Sequence, residues 1–290
     1  CGNTLIMKPS EIVPLSMIRC AELLKEAGLP EHVFQLVQGG KDIVEQICDH
    51  PDIKAVSFVG STNVAKIVYQ RATSQFKRAL CMGGAKNHIL VLPDAQTEMT
   101  ANNVAASMSG CAGQRCMAAS AMVGVGDIDH IVKKIIDESK KIIPGKNLGA
   151  VISQAAKERI ENYIQDAVNE GATLLLDGRN PHVEGCENGY YVGPTILDNV
   201  RPEMKIAKEE VFGPVLSIIR TSNVNDAIGV QHNSDYGNGA AVFTQNGKAA
   251  RDIAGKLKAG MVGINIGVPV PREPYSFGGW NDSKFGVGDI

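Results

Sequence analysis

From residue 1 to about residue 74, short apolar runs alternate with helix-period stretches, and the junctions carry glycine or small polar residues. Cys1–Met7 reads as a strand already in progress. Ser10 is placed to cap a helix to about Ala27, with Ile12, Leu15, Ile18, Leu23 and Leu24 on one face and Gly28 as its stop. Val33–Val37 and Ala55–Val59 are buried-strand runs. Gly39-Gly40 turns the chain into a short helix through Ile43, Val44 and Ile47, and Gly60-Ser61-Thr62 opens another. Strand, helix, strand, helix, strand at this spacing predicts a parallel sheet with helices on its faces. The fold class is α/β.

The alternation continues past residue 80. Strands are expected at Ile89–Leu92, Ala121–Val125, Thr173–Leu176, Tyr191–Ile196, Val215–Ile219, Gly239–Thr244 and Met261–Asn265. Helices are expected at Thr97–Met108, Ile131–Ile143, Ser153–Glu170, Asp226–His232 and Lys248–Ala259. This layout suggests a partial dinucleotide-binding domain over residues 1–80 and a catalytic domain over 81–260. Residues 261–290 would return, truncated, to the first domain. A start on Cys rather than Met and an end at Gly286-Val287-Gly288 without a closing element read as a piece of a longer protein.

Composition removes several function classes. A net charge of −2 without long like-charge runs gives no footing for nucleic acid or a polybasic membrane patch. No apolar stretch approaches the length of a membrane span. The 7 cysteines are scattered, with no Cys-x-x-Cys pair and no neighbouring His, which argues against a disulfide framework and against a metal site.

One cysteine stands apart. Cys116, in Gly113-Gln114-Arg115-Cys116-Met117, ends a small-residue segment (Ala105, Ala106, Ser107, Ser109, Gly110, Ala112) and follows a fixed positive charge. Small residues allow close approach of ligands to the backbone, and a neighbouring guanidinium favours the nucleophilic thiolate. A buried structural cysteine is the alternative. Elsewhere, Gly60-Ser61 sits where a strand feeds a helix, a place where first-turn amides face a docked anion, although capping alone explains the same pair. Lys8 and Glu11 stand at the carboxyl edge of the first strand. Lys8 could donate to ribose hydroxyls and Glu11 could accept from a 2′-hydroxyl; a plain helix start fits them equally.

Taken together, Lys8-Pro9-Ser10-Glu11, Phe58-Val59-Gly60-Ser61-Thr62, Gly113-Gln114-Arg115-Cys116, Glu209-Glu210-Val211-Phe212-Gly213-Pro214 and Ser276-Phe277-Gly278-Gly279 resemble the aldehyde dehydrogenase superfamily. The closer likeness, carried by Gly84-Ala85-Lys86-Asn87-His88, Glu187–Thr195, Tyr236-Gly237-Asn238-Gly239 and Val268-Pro269-Val270-Pro271, is to its CoA-acylating methylmalonate-semialdehyde dehydrogenases. The resemblance implies NAD as cofactor and coenzyme A as co-substrate. It implies Cys116 as nucleophile, with its backbone amide an oxyanion donor. Lys8 and Ser61 would contact the adenosine and pyrophosphate half of the cofactor, with Glu11 and Gly60 beside them as the cofactor candidates read from the residues, Glu210 would bind the nicotinamide ribose, and Phe212 would pack near the nicotinamide. Arg115 would grip the substrate carboxylate through its planar fork, the alternative being a surface or structural arginine.

At the position of Met82, hydrolytic members of the superfamily carry a Glu, followed by Leu-Gly-Gly-Lys, that acts as general base on water. A thioether cannot take that proton, whereas a thiol acceptor needs less help than water. The expected partners are a small-molecule semialdehyde and CoA, and the full-length protein is expected as a homo-oligomer, a tetramer. Its setting would be the cytoplasm in a bacterium and the mitochondrial matrix in a eukaryote. A hydrolytic dehydrogenase acting on another acid semialdehyde, or an inactive fragment, is the alternative reading.

Overall fold

The computed structural model describes residues 2–288. Cys1, within the expected opening strand, and Asp289 and Ile290, within the expected return segment, lie outside the described residues. The chain divides into two compact units: residues 2–81 with Phe285–Gly288, and Met82–Lys284. The stretch expected to return to the first domain from residue 261 therefore stays with the second unit up to Lys284. The reason is that Met261–Ile264 pairs with a strand of that unit's large sheet.

The first unit runs β1 (Leu5–Met7), α1 (Leu15–Glu26), β2 (Phe34–Leu36), α2 (Lys41–Asp49), β3 (Ala55–Val59), α3 (Thr62–Ser74) and β4 (Arg78–Met82), whose last residue begins the second unit. β1 and β2 pair in parallel with Leu5 opposite Phe34, and β3 and β4 belong to a separate sheet. Its core is small: Cys48, Val56, Ala65, Val68, Ala72 and Cys81, with Phe285 tilted against Tyr69.

The expected helix from Ser10 begins instead at Leu15, with Pro14 at its N-cap. A residue preceding proline is pushed out of the helical region, so Val13 breaks any helix started at Ser10. The Ser10 hydroxyl accepts from the Ile12 amide at 3.3 Å, making a local turn rather than a cap. Helix α1 buries no residue, and its expected inner face, Leu15, Leu23 and Leu24, is exposed.

The second unit continues with β5 (Asn87–Val91), α4 (Thr97–Ser109), β6 (Ala119–Val125), α5 (Asp129–Ser139), α6 (Gln154–Asn169), β7 (Thr173–Leu176), β8 (Thr195–Asp198), α7 (Lys205–Lys208), β9 (Val215–Thr221), α8 (Val224–His232), β10 (Tyr236–Gly237), β11 (Gly239–Phe243), α9 (Gly247–Ala254), β12 (Met261–Ile264), β13 (Trp280–Asn281) and β14 (Lys284–Phe285), whose last residue belongs to the first unit. Seven strands form one sheet in the order β12-β11-β5-β6-β9-β8-β7, parallel except for the β7–β8 pair. The expected strand at Tyr191–Ile196 starts only at Thr195, directly after Pro194, which has no amide hydrogen to give a ladder.

Side chains alternate across this sheet, so each central strand feeds two cores. Ile89, Val91, Met122, Ile218 and Phe243 face Ala101, Val104 and Met108 of α4 and Ile131 and Ile135 of α5. Leu90, Val123, Ala240 and Val242 face Ala227 and Ile228 of α8 and Ile253 of α9. Both faces are covered, as a parallel sheet requires, and the strands accordingly read as continuous apolar runs.

Candidate active site

Helix α4 ends at Ser109, and the chain enters a tight turn over Gly110–Gly113 before reaching Cys116 and β6. Cys111, Ala112 and Gly113 are successive left-handed residues, with φ of 52°, 54° and 70°. Such backbone costs roughly 1–2 kcal/mol at each non-glycine residue and persists where the surroundings over-determine it. Gly113 is irreplaceable on two counts. It has positive φ, and a Cβ there would collide with the Gly213 carbonyl and the Pro214 nitrogen. The strained turn is thereby pressed against the Glu210–Pro214 loop.

Two carboxamides fix the backbone of Cys116. Asn87 Nδ2 donates to the Cys116 carbonyl at 2.7 Å and to the Ala118 carbonyl at 2.7 Å, and its Oδ1 accepts from the Gly239 amide at 3.0 Å. Asn238 Nδ2 donates to the same Cys116 carbonyl at 3.1 Å. A register shift at Asn87/His88 in the β5–β6 pairing accompanies this arrangement, and bulges often mark sites where a side chain is re-aimed. With the carbonyl held twice, the Cys116 sulfur has one backbone frame from which to act.

The sulfur itself is half-buried. Burial pushes the Cys116 thiol above its ordinary range, and the nearby Glu210 charge pushes the same way. The backbone N–H groups of Cys116 and Met117 pull in the opposite direction, since they stabilise the anion. The guanidinium of Arg115 does not supply the expected help. It lies against Gly110, and its Nε donates to Cys111 Sγ at 3.3 Å. Among the described residues no carboxylate pairs with Arg115.

A pocket lined by Ala85, Asn87, Arg115, Cys116, Glu210 and Phe212, among others, brings together four of the residues singled out from sequence. Glu210 Oε1 accepts from the Ala85 amide at 3.1 Å. Burial pushes its carboxyl up to about 7, against the pull of that amide and of the Lys86 and Arg159 charges. The neighbouring Glu209 is engaged elsewhere, by the Tyr163 hydroxyl. Phe212, at φ 53°, turns its ring to the pocket and is partly exposed. Met82 is buried at the end of β4 and offers no proton acceptor.

Lys8, Glu11, Gly60 and Ser61 belong to the first unit. Lys8 Nζ donates to the Gly39 carbonyl at 2.6 Å and lies 3.4 Å from Glu11, so one ammonium joins the carboxyl ends of the parallel β1 and β2. That edge is where ligands of parallel sheets dock. Ser61 is the N-cap of α3 in extended conformation, with its hydroxyl unused in capping, at a helix N-terminus of the kind that receives anions. A Cβ at Gly60 would run into the Phe58 ring. These features fit a dinucleotide's pyrophosphate and ribose.

The pocket thus gathers a cysteine at the end of a strained turn, a glutamate and an aromatic residue. Over residues 1–290 the sequence matches the model of the aldehyde dehydrogenase family. The chain belongs to the aldehyde dehydrogenase family. A malonate-semialdehyde dehydrogenase of Halalkalibacterium halodurans is 44% identical over 99% of this chain and 60% of its own length. A Drosophila melanogaster protein named "probable methylmalonate-semialdehyde/malonate-semialdehyde dehydrogenase, acylating, mitochondrial" is 47% identical over 97% of this chain and 55% of its own length. A Sinorhizobium meliloti crystal structure complexed with NAD superposes with a TM-score of 0.97 at 43% identity, over 100% of this chain and 60% of that one. The chain thus spans about 60% of the length of the curated relatives it matches.

Within this member of the family, sequence reasoning reads Asn87 as part of a strand rather than chemistry and does not weigh Asn238, yet both hold the Cys116 carbonyl. Asn87 reads as strand, and its signal is a carboxamide directly before a wholly apolar run, His88 apart. A buried amide must find partners, and here they are backbone groups of Cys116, Ala118 and Gly239. The Asn265 side chain bonds both backbone groups of Thr244. Among the described residues, no group of three His, Cys, Asp or Glu side chains gathers as a metal site, and no helix is long and apolar enough to cross a membrane.

Proposed function

We propose that the protein catalyses NAD-dependent, CoA-acylating oxidation of malonate or methylmalonate semialdehyde, with loss of carbon dioxide, through a thioester on Cys116. The observation that supports this reading is the shared pocket of Cys116, Glu210 and Arg115; beside it stands the resemblance, which puts Met82 at the position of a water-activating base. The names of the relatives, including an acylating one, point the same way.

Cys116 Sγ attacks the aldehyde carbon, and the Cys116 and Met117 amides that already favour an anion there stabilise the thiohemiacetal oxyanion. Arg115 orients the substrate's carboxylate in a two-point fork. NAD, when bound, accepts the hydride; Lys8, Glu11, Gly60 and Ser61 hold its adenosine and pyrophosphate half, while Glu210 binds the nicotinamide ribose and Phe212 packs beside the ring. The acyl group stays on Cys116, where a β-carboxylate is lost readily because the thioester delocalises the developing carbanion. Coenzyme A then collects the acyl group. A thiol is the acceptor that can still be used where methionine replaces the water-activating glutamate, since it ionises far more easily than water.

Supplying the protein with semialdehyde, NAD and CoA should yield NADH and acyl-CoA in equal amounts, and Cys116→Ala should yield neither. Free acid as the sole product, with CoA untouched, identifies a hydrolytic enzyme instead.

A further inference from the structure

Acyl transfer to a thiol still leaves one proton to be placed, and the pocket contains one carboxylate to place it on. Glu210 lines the same cavity as Cys116, and it is the carboxylate among that cavity's lining residues. One oxygen is held by the Ala85 amide at 3.1 Å, while Oε2 carries no hydrogen bond among the described residues. Behind it lies an unusual group. Lys86 is 2% exposed, its Nζ is buried without a hydrogen-bond partner, and the charges acting on it are those of Glu210 and Glu209. An unpaired ammonium in a protein interior is expensive, and a nearby carboxylate is what offsets it.

We propose that Glu210 accepts the proton of the thiol that collects the acyl group from Cys116, with the buried Lys86 ammonium keeping the carboxylate ionised for that task. The assignment rests on the acyl transfer proposed above. As the S–H bond of the incoming thiol breaks, its proton passes to Glu210 Oε2 and its electron pair forms the new sulfur–carbonyl bond. When the tetrahedral adduct collapses, the bond to Cys116 Sγ breaks and the same proton returns to that sulfur. Nothing is oxidised, and no further reactant is needed.

The electrostatics agree. The Glu210 carboxyl titrates near 7, and the Lys86 ammonium is brought down to about 8 by burial. The other ionisable groups acting on Glu210 are Arg159, which favours its anion, and Cys116, whose thiol Glu210 pushes up. These influences make opposite predictions for the variant Glu210→Gln. If the carboxylate acted only by its charge, removing it would make Cys116 a better leaving group and speed the transfer. If it accepts the proton, transfer slows.

The test needs no nicotinamide cofactor, which keeps the ribose-binding role of Glu210 out of the readout. The protein is acetylated with p-nitrophenyl acetate, the label on Cys116 is verified by mass spectrometry, and coenzyme A is added to the isolated acyl-enzyme. Per acylated molecule, Glu210→Gln should transfer at least about 100-fold more slowly. Lys86→Met should move the acid limb of the transfer rate upward by about one pH unit, because loss of the cation raises the Glu210 pKa. Wild-type or faster transfer by Glu210→Gln, or an unmoved limb in Lys86→Met, overturns the assignment while leaving the thioester reading intact. Absence of acetyl on Cys116 overturns both. Should Glu210→Gln fail to fold, the limb in Lys86→Met decides alone.

Discussion

The two units are built from the same alternation of strand and helix, yet they bury very different amounts of it. The second unit closes apolar clusters on both faces of a seven-stranded sheet, with Ile89, Leu90, Met122 and Phe243 fully enclosed. The first joins its helices and short strands around six buried residues and leaves Leu5, Ile6, Ile12, Leu15 and Leu23 exposed. An identical sequence rhythm therefore does not imply equal stability. What separates the units is whether each apolar face finds a partner, and Cys116 sits in the unit where it does.

The largest effect follows from that enclosure. Phe243→Ala removes a buried ring from the centre of the sheet and should cost about 3–5 kcal/mol, seen as a lowered thermal midpoint of the second unit. A loss below about 1 kcal/mol would mean that the sheet's core is not what holds this unit. Gly113→Ala comes next. It meets both a left-handed backbone and the Gly213 carbonyl, and about 2–3 kcal/mol of strain is expected. Because the strain falls on the turn leading to Cys116, thiol alkylation there should change more than at exposed Cys20 of the first unit.

Asn87→Leu sharpens the contrast at the site itself. Leucine keeps the volume but orphans the Ala118 carbonyl and the Gly239 amide and takes one of two donors from the Cys116 carbonyl, at about 1–3 kcal/mol. The Cys116 carbonyl retains Asn238, so the protein should fold while acylation of Cys116 slows. Unchanged acylation would show that the amide pair serves packing alone.

Much of this organisation is legible in the chain. Ala55–Val59 and Thr173–Leu176 are strands where their apolar runs place them, and Gly60-Ser61-Thr62 opens a helix. The misses have local causes. Pro14 overrides the helical period that begins at Ser10, because a fixed ring acts on the preceding residue whatever the pattern says. Residues 261–284 look like a return because helix and strand alternate there as everywhere; only pairing of β12 with β11 decides where they belong. At the site, Cys116, Arg115, Glu210 and Phe212 could be named from their motifs, but the direction of an arginine side chain could not. Arg115 next to Cys116 in sequence suggests a cation on the thiol, whereas successive side chains diverge and this one reaches Cys111.

Lys86→Met asks whether the second unit's interior tolerates a charge only because function requires it. The Lys86 ammonium is protonated less readily in the fold, about 8, than in the unfolded chain, 10.5. Between those values the unfolded chain binds more protons, so stability contributed at this position is lowest below about 8 and rises with pH up to about 10.5. Replacement by methionine should stabilise the protein at pH 7, by roughly 1–3 kcal/mol, and flatten that rise. A destabilised variant would show that the ammonium is matched by its surroundings after all.

The smallest effect belongs to the first unit. Leu15 is 76% exposed on a helix that buries nothing, so Leu15→Ser should change stability by no more than about 0.5 kcal/mol. Amide exchange gives the same comparison without mutation. Amides of α1 should exchange far faster than those of β5 and β6, because opening α1 uncovers almost no apolar surface whereas opening the sheet uncovers both cores. If α1 proved as protected as β5, or Leu15→Ser cost more than 1 kcal/mol, that face would be covered in solution, and the inequality between the units would reflect a missing neighbour rather than a difference in their own packing.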